Sequence, residues 1–218
     1  MMVSDPARYD PLVENLVGWL KPVRRLPSPT RRAATWIGAA VLIGIVLAPM
    51  ADWPGVAARM SVPDLRFAAV GAVLTAIGAA VAAFQTSVPG RSWRWALLPL
   101  PSLALWVGAS GLGCLRTWVA PSTDLATAAE MRHCVVWLLG FSLPLSARLV
   151  FMLRQACPLR PGLTAALGGL AASAAAGALL VLFHPHDATA TDLIVHLVCG
   201  ALVIGANAAF GGRVFNNS

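Results

Sequence analysis

The chain has 218 residues, of which 58% are hydrophobic and only 11% are charged, and its mean hydropathy is +0.73. Polar side chains are too few to cover a water-soluble globule, so the composition excludes an ordinary soluble domain and indicates an integral membrane protein. In a soluble chain the net charge of +7 would suggest nucleic acid. In a membrane protein, basic loops instead set the orientation, and no direct nucleic-acid partner is expected.

The first 32 residues precede the first long apolar stretch and contain one short amphipathic segment. Asp10 is suited to cap the start of a helix, Pro11 fits the first helical position, and Pro22 ends the helix. Between these limits apolar residues recur at three- and four-residue spacing, so they share one face of the helix. That face consists of Leu12, Val13, Leu16, Val17 and Leu20, with Trp19 beside it.

A helix of this length is marginal in water, so its apolar face needs a surface to contact. One interpretation is an anchor at the membrane interface, where the basic run from Lys21 to Arg32 contacts anionic lipid. The other is a docking segment, in which the apolar face and the following Arg24 and Arg25 bind a protein partner. Acidic residues near the apolar face are unfavourable to anionic lipid and favour docking: Asp5, Asp10 and Glu14.

Six apolar stretches follow, and each is long enough to cross a hydrocarbon core of about 30 Å as a helix. They are predicted at residues 33–51, 65–86, 95–113, 134–153, 162–183 and 193–210. Helices satisfy their own backbone hydrogen bonds in lipid, so we predict an all-α polytopic membrane protein, a six-helix bundle with a short N-terminal amphipathic helix. The predicted divisions are an N-terminal segment 1–32, a transmembrane domain 33–211 and a short tail 212–218.

Basic residues are unevenly divided between the two sides of the predicted bundle. The N-terminal segment, the loops after spans two and four, and the tail carry most of the arginines outside the spans. The positive-inside rule therefore places these parts in the cytoplasm, and an even number of spans puts both termini there. Acidic residues concentrate in the loops on the other side: Asp52, Asp64, Asp124, Glu130, Asp187 and Asp192.

Span five is rich in small residues. Ala165, Gly169, Ser173 and Gly177 recur at four-residue spacing and therefore lie on one face of the helix. Small side chains let the backbones of two membrane helices approach closely. The pattern predicts a tight helix interface and is a feature of assembly rather than of catalysis.

Two cysteines lie at the predicted outer ends of neighbouring spans. Cys114 ends span three and Cys134 begins span four, so both belong near the outer face. In an oxidising compartment two such thiols can form a disulfide or bind a thiol-reactive ion, which would bias how the two spans pack. The alternative is that both are small buried apolar residues. Cys157 and Cys199 are interpreted as packing residues.

A histidine-rich loop precedes span six. His184, His186 and Asp187 crowd this outer loop, and imidazole and carboxylate groups are ligands for divalent transition metals. A simpler explanation is that Asp187 or Asp192 caps the start of span six. No cofactor is therefore expected, with a transition metal at this loop as the alternative.

Several segments, spread over most of the chain, resemble one family. The segment LKPVRRLPSPTRRAATWI is similar to the juxtamembrane signature of the NrsF family, small six-span negative regulators of extracytoplasmic-function sigma factors. The similarity continues in GLGCLRTW, LRQACPLRPGLTAALGGLAA and FHPHDATATDLIVHL. The resemblance implies an anti-sigma factor of the bacterial inner membrane, whose cytoplasmic N-terminal segment holds the sigma factor away from RNA polymerase. It also implies that an outer cysteine pair, Cys114 and Cys134, senses a periplasmic stress signal.

Enzyme motifs are absent from the sequence, which has no Walker lysine loop, HExxH or GxSxG. No acidic residue falls in the middle of a predicted span, so the usual carrier of proton-coupled transport is missing. We therefore expect no enzymatic activity, and the expected partners are an extracytoplasmic-function sigma factor and the lipid bilayer. The alternative is a small membrane transporter or a membrane redox or metal-binding protein. The sequence specifies neither the stimulus nor the oligomeric state.

Overall fold

A computed structural model describes residues 10–19, 25–119, 127–156, 158–183 and 190–211. Every regular element in these ranges is helical, which confirms the predicted all-α fold. The eight α-helices found there are α1 Asp10–Gly18, α2 Pro29–Leu47, α3 Trp53–Ser61, α4 Pro63–Thr86, α5 Leu100–Val119, α6 Ala128–Arg154, α7 Pro161–Leu180 and α8 Ala190–Ala206. Two 3-10 turns follow α2 and precede α5, and a π-helical turn follows α8: Ala48–Met50, Trp93–Leu97 and Asn207–Gly211.

Six helical stretches in the described residues are long and apolar enough to cross a membrane. They are Pro29–Met50, Pro63–Thr86, Trp93–Arg116, Ala129–Arg154, Pro161–Leu180 and Leu193–Gly211. These stretches coincide with the six predicted spans, so the prediction of a six-helix membrane protein is confirmed.

Successive spanning helices run in opposite directions, so the bundle has two ends. At one end, where α2 starts, the Thr164 hydroxyl of α7 donates to the Thr86 hydroxyl of α4 at 3.3 Å. At the other end, Nη2 of Arg59 donates to the carbonyl oxygen of Val181, just beyond α7, at 2.9 Å. We call the first the N-terminal end, because α1 precedes α2 there, and the second the opposite end.

The first spanning helix begins before the predicted boundary after residue 32. Ser28 caps α2, because its Oγ accepts a hydrogen bond from the N–H of Arg31 at 3.4 Å, and Pro29 occupies the first helical position. Arg31 and Arg32 therefore belong to the first turn of α2. The side chain of Arg32 is buried, and its guanidinium carbon lies 5.0 Å from the centre of the Phe84 ring on α4.

The link between the first two spanning helices contains α3, where the sequence pattern indicated a loop. Its start is encoded locally, because the Asp52 side chain accepts from the N–H of Gly55 at 3.3 Å and Pro54 stands in the first turn. Only Val62 separates the end of α3 at Ser61 from the start of α4 at Pro63. α3 packs on α4 and lies at the opposite end of the bundle.

α7 is the central helix of the bundle. It packs on α4, α6 and α8, and most of its residues are buried. Its glycines let neighbouring helices approach: a Cβ added at Gly169 would stand 2.8 Å from the Cα of Ile204 on α8. A Cβ added at Gly177 would stand 2.9 Å from a ring carbon of Trp106 on α5. The predicted close approach along span five is confirmed at these two glycines, which meet different neighbouring helices.

Changing Gly169 to Ala is expected to destabilise the bundle by about 1–3 kcal/mol, the usual cost of overpacking. The added Cβ meets the backbone of α8, which can yield only if the two helices separate. Unfolding of the purified protein in detergent, followed by circular dichroism, measures the effect. Gly140→Ala is the matched control, because a Cβ there meets no atom within 4 Å and Ala favours the helix. Equal stability of the two variants would contradict the packing described for α7 and α8.

Candidate functional site

The apolar face of α1 is exposed. Val13, Leu16 and Val17 expose 52%, 60% and 57% of their surface, and Trp19 exposes 80%. The indole N–H of Trp19 donates to Oδ1 of Asn15 at 2.9 Å, which holds the ring against α1 itself. None of these side chains belongs to a hydrophobic cluster formed by the described residues. The face is therefore open to a partner.

α1 also lacks support from the bundle. It is nine residues long, and none of the other described helices packs on it extensively. A helix this short has little stability of its own in water, so its apolar face is expected to be covered in the working state. The helix predicted between Asp10 and Pro22 is found over Asp10–Gly18.

The predicted binding residues divide into those that the structure describes and those that it does not. The side chain of Leu12, and the residues Leu20 and Arg24, lie outside the described residues. Arg25 is exposed in the segment that leads into α2. Four predicted residues share one exposed surface, which we call the α1 face: Val13, Leu16, Val17 and Trp19. Their role in binding stays a prediction.

The start of α2 is joined to two other helices, which connects the α1 segment to the bundle. Trp36 is 1% exposed, and its Nε1 donates to the carbonyl oxygen of Leu145 on α6 at 3.0 Å. One turn earlier, Arg32 lies over Phe84 of α4. A shift of α6 or α4 must therefore carry α2 with it or break these contacts. α2 is the element through which a change of packing can reach α1.

Cys134 lies in a small apolar cluster near the opposite end of the bundle. Its side chain is 5% exposed and packs with Leu138, Leu180 and Cys199, so that α6, α7 and α8 all contribute. Cys134 and Cys199 are free thiols of this same cluster. We call these four residues the thiol cluster.

Cys114 is on a different helix and is partly exposed. Within the described part of the chain, its helix α5 packs mainly on α4 and also contacts α8, without extensive packing on α6. The structure therefore brings Cys134 together with Cys199 and places Cys114 outside the thiol cluster. The predicted pairing of Cys114 with Cys134 stays a prediction.

Cys199 was predicted to pack only, and its place beside Cys134 was missed. In the structure the two thiols lie at similar depth, because Cys134 lies five residues after Ala129 and Cys199 six residues after Leu193, the first residues of two spans that run in the same direction. The predicted spans, which begin at residues 134 and 193, did not show this. Equal depth alone does not make two residues neighbours. The contact between α6 and α8, which the fold supplies, is also required.

The predicted metal ligands His184, His186 and Asp187 lie outside the described residues. In the part of the chain that is described, no three His, Cys, Asp or Glu side chains are grouped so as to hold a metal ion. The expectation of no resident cofactor, with a transition metal as the alternative, stays a prediction.

Comparison with known proteins finds a family match over nearly the whole chain. A family model described as NrsF, negative regulator of sigma F, matches residues 16–216. No curated protein and no solved structure matches the chain. The matched range includes the last residues of α1, all six spanning stretches and three of the thiols discussed above: Cys114, Cys134 and Cys199.

Proposed function

Because the chain belongs to the NrsF family of negative regulators of sigma F, we propose that it is an anti-sigma factor that sequesters an extracytoplasmic-function sigma factor at the bacterial inner membrane. The family is regulatory, which favours this function over the alternative of a small transporter or membrane redox protein. In the proposed mechanism, α1 binds the sigma factor, the thiols receive a periplasmic stress signal, and the bundle couples the two.

The observation that carries the binding proposal is the exposed α1 face. Three of its side chains, Val13, Leu16 and Val17, lie on one side of a helix that the described bundle does not cover. Burying each such side chain contributes about 1.5–3 kcal/mol, before the costs of association are subtracted. An amphipathic helix of this kind binds by laying its apolar face into a groove of a partner. A sigma factor occupied in this way cannot offer the same groove to RNA polymerase.

The distribution of charge supports a cytoplasmic position for α1. Four arginines in the two links at the N-terminal end are exposed: Arg91, Arg94, Arg154 and Arg160. At the opposite end Arg66 and Arg132 are exposed as well, but Arg116 is paired with Asp64 at 3.2 Å and Arg59 donates to the carbonyl oxygen of Val181. The positive-inside rule therefore favours the N-terminal end as the cytoplasmic one, which is where a sigma factor acts.

The proposed input is a chemical change at Cys134, with Cys114 or Cys199 as the second thiol. Disulfide formation joins the two sulfur atoms and passes two electrons and two protons to an oxidant, whereas a soft metal ion displaces the thiol protons. A disulfide requires Cα atoms roughly 4.4–6.8 Å apart. Cys199 belongs to the same apolar cluster as Cys134, whereas Cys114 lies on α5, which packs mainly on α4.

A signal passes only if the modified and unmodified bundles differ in packing and those packings differ in affinity for the sigma factor. One route in the structure runs along α6 from Cys134 to Leu145 and then to Trp36 on α2. A coupling free energy of about 1.4 kcal/mol along this route changes the affinity for the sigma factor tenfold.

Co-purification of the full chain with candidate sigma factors tests the proposed function. The chain is expected to retain one extracytoplasmic-function sigma factor in detergent, and a variant that lacks residues 2–25 is expected to lose it, because α1 is removed and α2 is left intact. A variant that lacks the tail 212–218 is the control and should retain the sigma factor. Retention by the variant without residues 2–25 would contradict binding through α1.

A further inference from the structure

A cavity of about 410 Å³ lies between α4, α5, α7 and α8, towards the opposite end of the bundle. Its volume falls within the range of about 300–1,000 Å³ that is usual for small-molecule sites. Val107 on α5 and Leu197 on α8 line it and are also 38% and 48% exposed. The cavity therefore opens sideways between these two spanning helices, towards the lipid. We call it the side cavity.

Small residues create the side cavity. Ala69 and Ala72 on α4, Ser173 and Gly177 on α7, and Gly200 on α8 line it where larger side chains would fill the space. α5 packs mainly on α4 and α8 packs mainly on α7, which leaves a wedge between α5 and α8. An apolar group that fills this wedge gains dispersion contacts with the apolar walls on both sides.

The side cavity extends along α8. Its lining on this helix runs from Leu193 to Ile204, a distance of about 16 Å at the helical rise. A cavity with apolar walls that follows a spanning helix and opens to lipid suits an acyl chain.

A positive charge stands at the end of the side cavity nearest the membrane surface. Arg59 on α3 lines the cavity there, and its Nη2 donates to the carbonyl oxygen of Val181 at 2.9 Å, which fixes the guanidinium in place. A guanidinium carries five N–H donors and recognises carboxylate and phosphate groups in particular. His196 lines the same cavity one to two turns deeper, towards the middle of the bundle.

We propose that the side cavity binds one acyl chain that carries an anionic head, with the head at Arg59 and the chain along the apolar walls towards Ile204. A free fatty acid and an anionic phospholipid of the bilayer share this chemistry. In the phospholipid case the second chain remains in the membrane, because the cavity is open between Val107 and Leu197. The proposal is independent of sigma-factor binding and of the thiols.

Native mass spectrometry of the full chain tests the proposal, with palmitate as the probe. The delipidated protein is expected to bind one palmitate, and Gly200→Leu should weaken this binding at least tenfold. A Cβ at Gly200 meets Ser173 only at ordinary contact distance, so the longer side chain enters the cavity without a backbone clash. Gly205→Leu is the matched control on the same helix, because a Cβ there meets nothing within 4 Å, and it should bind as the wild type does.

The charged head is tested separately. Arg59→Gln should lower the affinity for palmitate at least fivefold and leave the affinity for the uncharged palmityl alcohol unchanged. Arg59→Lys should keep most of the affinity for palmitate. Equal weakening of both probes by Arg59→Gln would overturn recognition of the head. The proposed site would be overturned if Gly200→Leu left palmitate binding intact. It would also be overturned if Gly205→Leu weakened palmitate binding as much as Gly200→Leu does.

A third measurement does not depend on the folding of a cavity variant. Brominated palmitate should quench the fluorescence of Trp106, which lines the side cavity, and the quenching should fall in Trp106→Phe. Equal quenching in the two proteins would overturn the location. The mass of any adduct retained from the cell membrane identifies the source, and either a fatty acid or an anionic phospholipid supports the proposal. A wild-type protein that carries no adduct and binds no palmitate would overturn it.

Discussion

Changing Leu16 and Val17 together to Asp is expected to lower the affinity for the sigma factor at least 100-fold and to free it from the membrane. Both side chains are more than half exposed in the described structure, so the change leaves the bundle itself intact. In the complex each loses about 1.5–3 kcal/mol of apolar burial, and the sum exceeds the ~2.7 kcal/mol that corresponds to 100-fold. Binding of labelled sigma factor to the protein in nanodiscs measures the loss.

Asn15→Asp is the matched control for this double change. It introduces a carboxylate within the same turn of α1, away from the side that carries Val13, Leu16 and Val17, and the new side chain can still accept from the indole of Trp19. Surface changes of this kind alter free energies by less than about 0.5 kcal/mol, so binding should stay within about threefold of the wild type. Equal losses in both proteins would show that charge or helix stability, not the α1 face, determines binding.

Changing Cys134 to Ser is expected to leave sequestration intact and to abolish release of the sigma factor by oxidant or soft metal. The wild type should show at least about tenfold induction of a sigma-dependent reporter, which corresponds to ~1.4 kcal/mol of coupling. The variant should stay near its uninduced level. Because Cys134 is buried, Cys134→Ala is a necessary companion that avoids placing a hydroxyl in an apolar cluster. Normal release in both variants would refute the proposed input.

The partner of Cys134 is identified by the same reporter. If Cys199 is the second thiol, Cys199→Ala should reproduce the loss of induction and Cys114→Ala should not. The opposite result would favour Cys114 as the second thiol. Cys134 packs with Cys199 in the described structure, so the first outcome requires the smaller movement.

The positions of the spanning helices could be predicted from the sequence because membrane crossing depends on length and hydropathy alone. The sequence also indicates where three of these helices start, because Pro29, Pro63 and Pro161 each stand in the first turn of a helix. The helix of the first span begins at Pro29, before the predicted boundary after residue 32. Hydropathy falls at Arg31 and Arg32, while the cap at Ser28 shows where the helix begins.

Lateral contacts between the helices could not be predicted in the same way. α7 carries small and apolar residues on every side, so its sequence does not show which neighbouring helix packs on which of its faces. The approach of Cys199 to Cys134 and the wedge between α5 and α8 both depend on that choice. The exposed α1 face, by contrast, follows from a three- and four-residue spacing that is visible in the sequence.

Binding of purified sigma factor to sealed membrane vesicles tests the central claim most directly, because it reports both the partner and the side of the membrane on which α1 lies. We predict that inside-out vesicles, whose cytoplasmic face is outward, bind the sigma factor, and that the Leu16→Asp, Val17→Asp protein in the same vesicles does not. Right-side-out vesicles should bind it only after they are opened. Binding to sealed right-side-out vesicles, or no binding to inside-out vesicles, would contradict sequestration by a cytoplasmic α1.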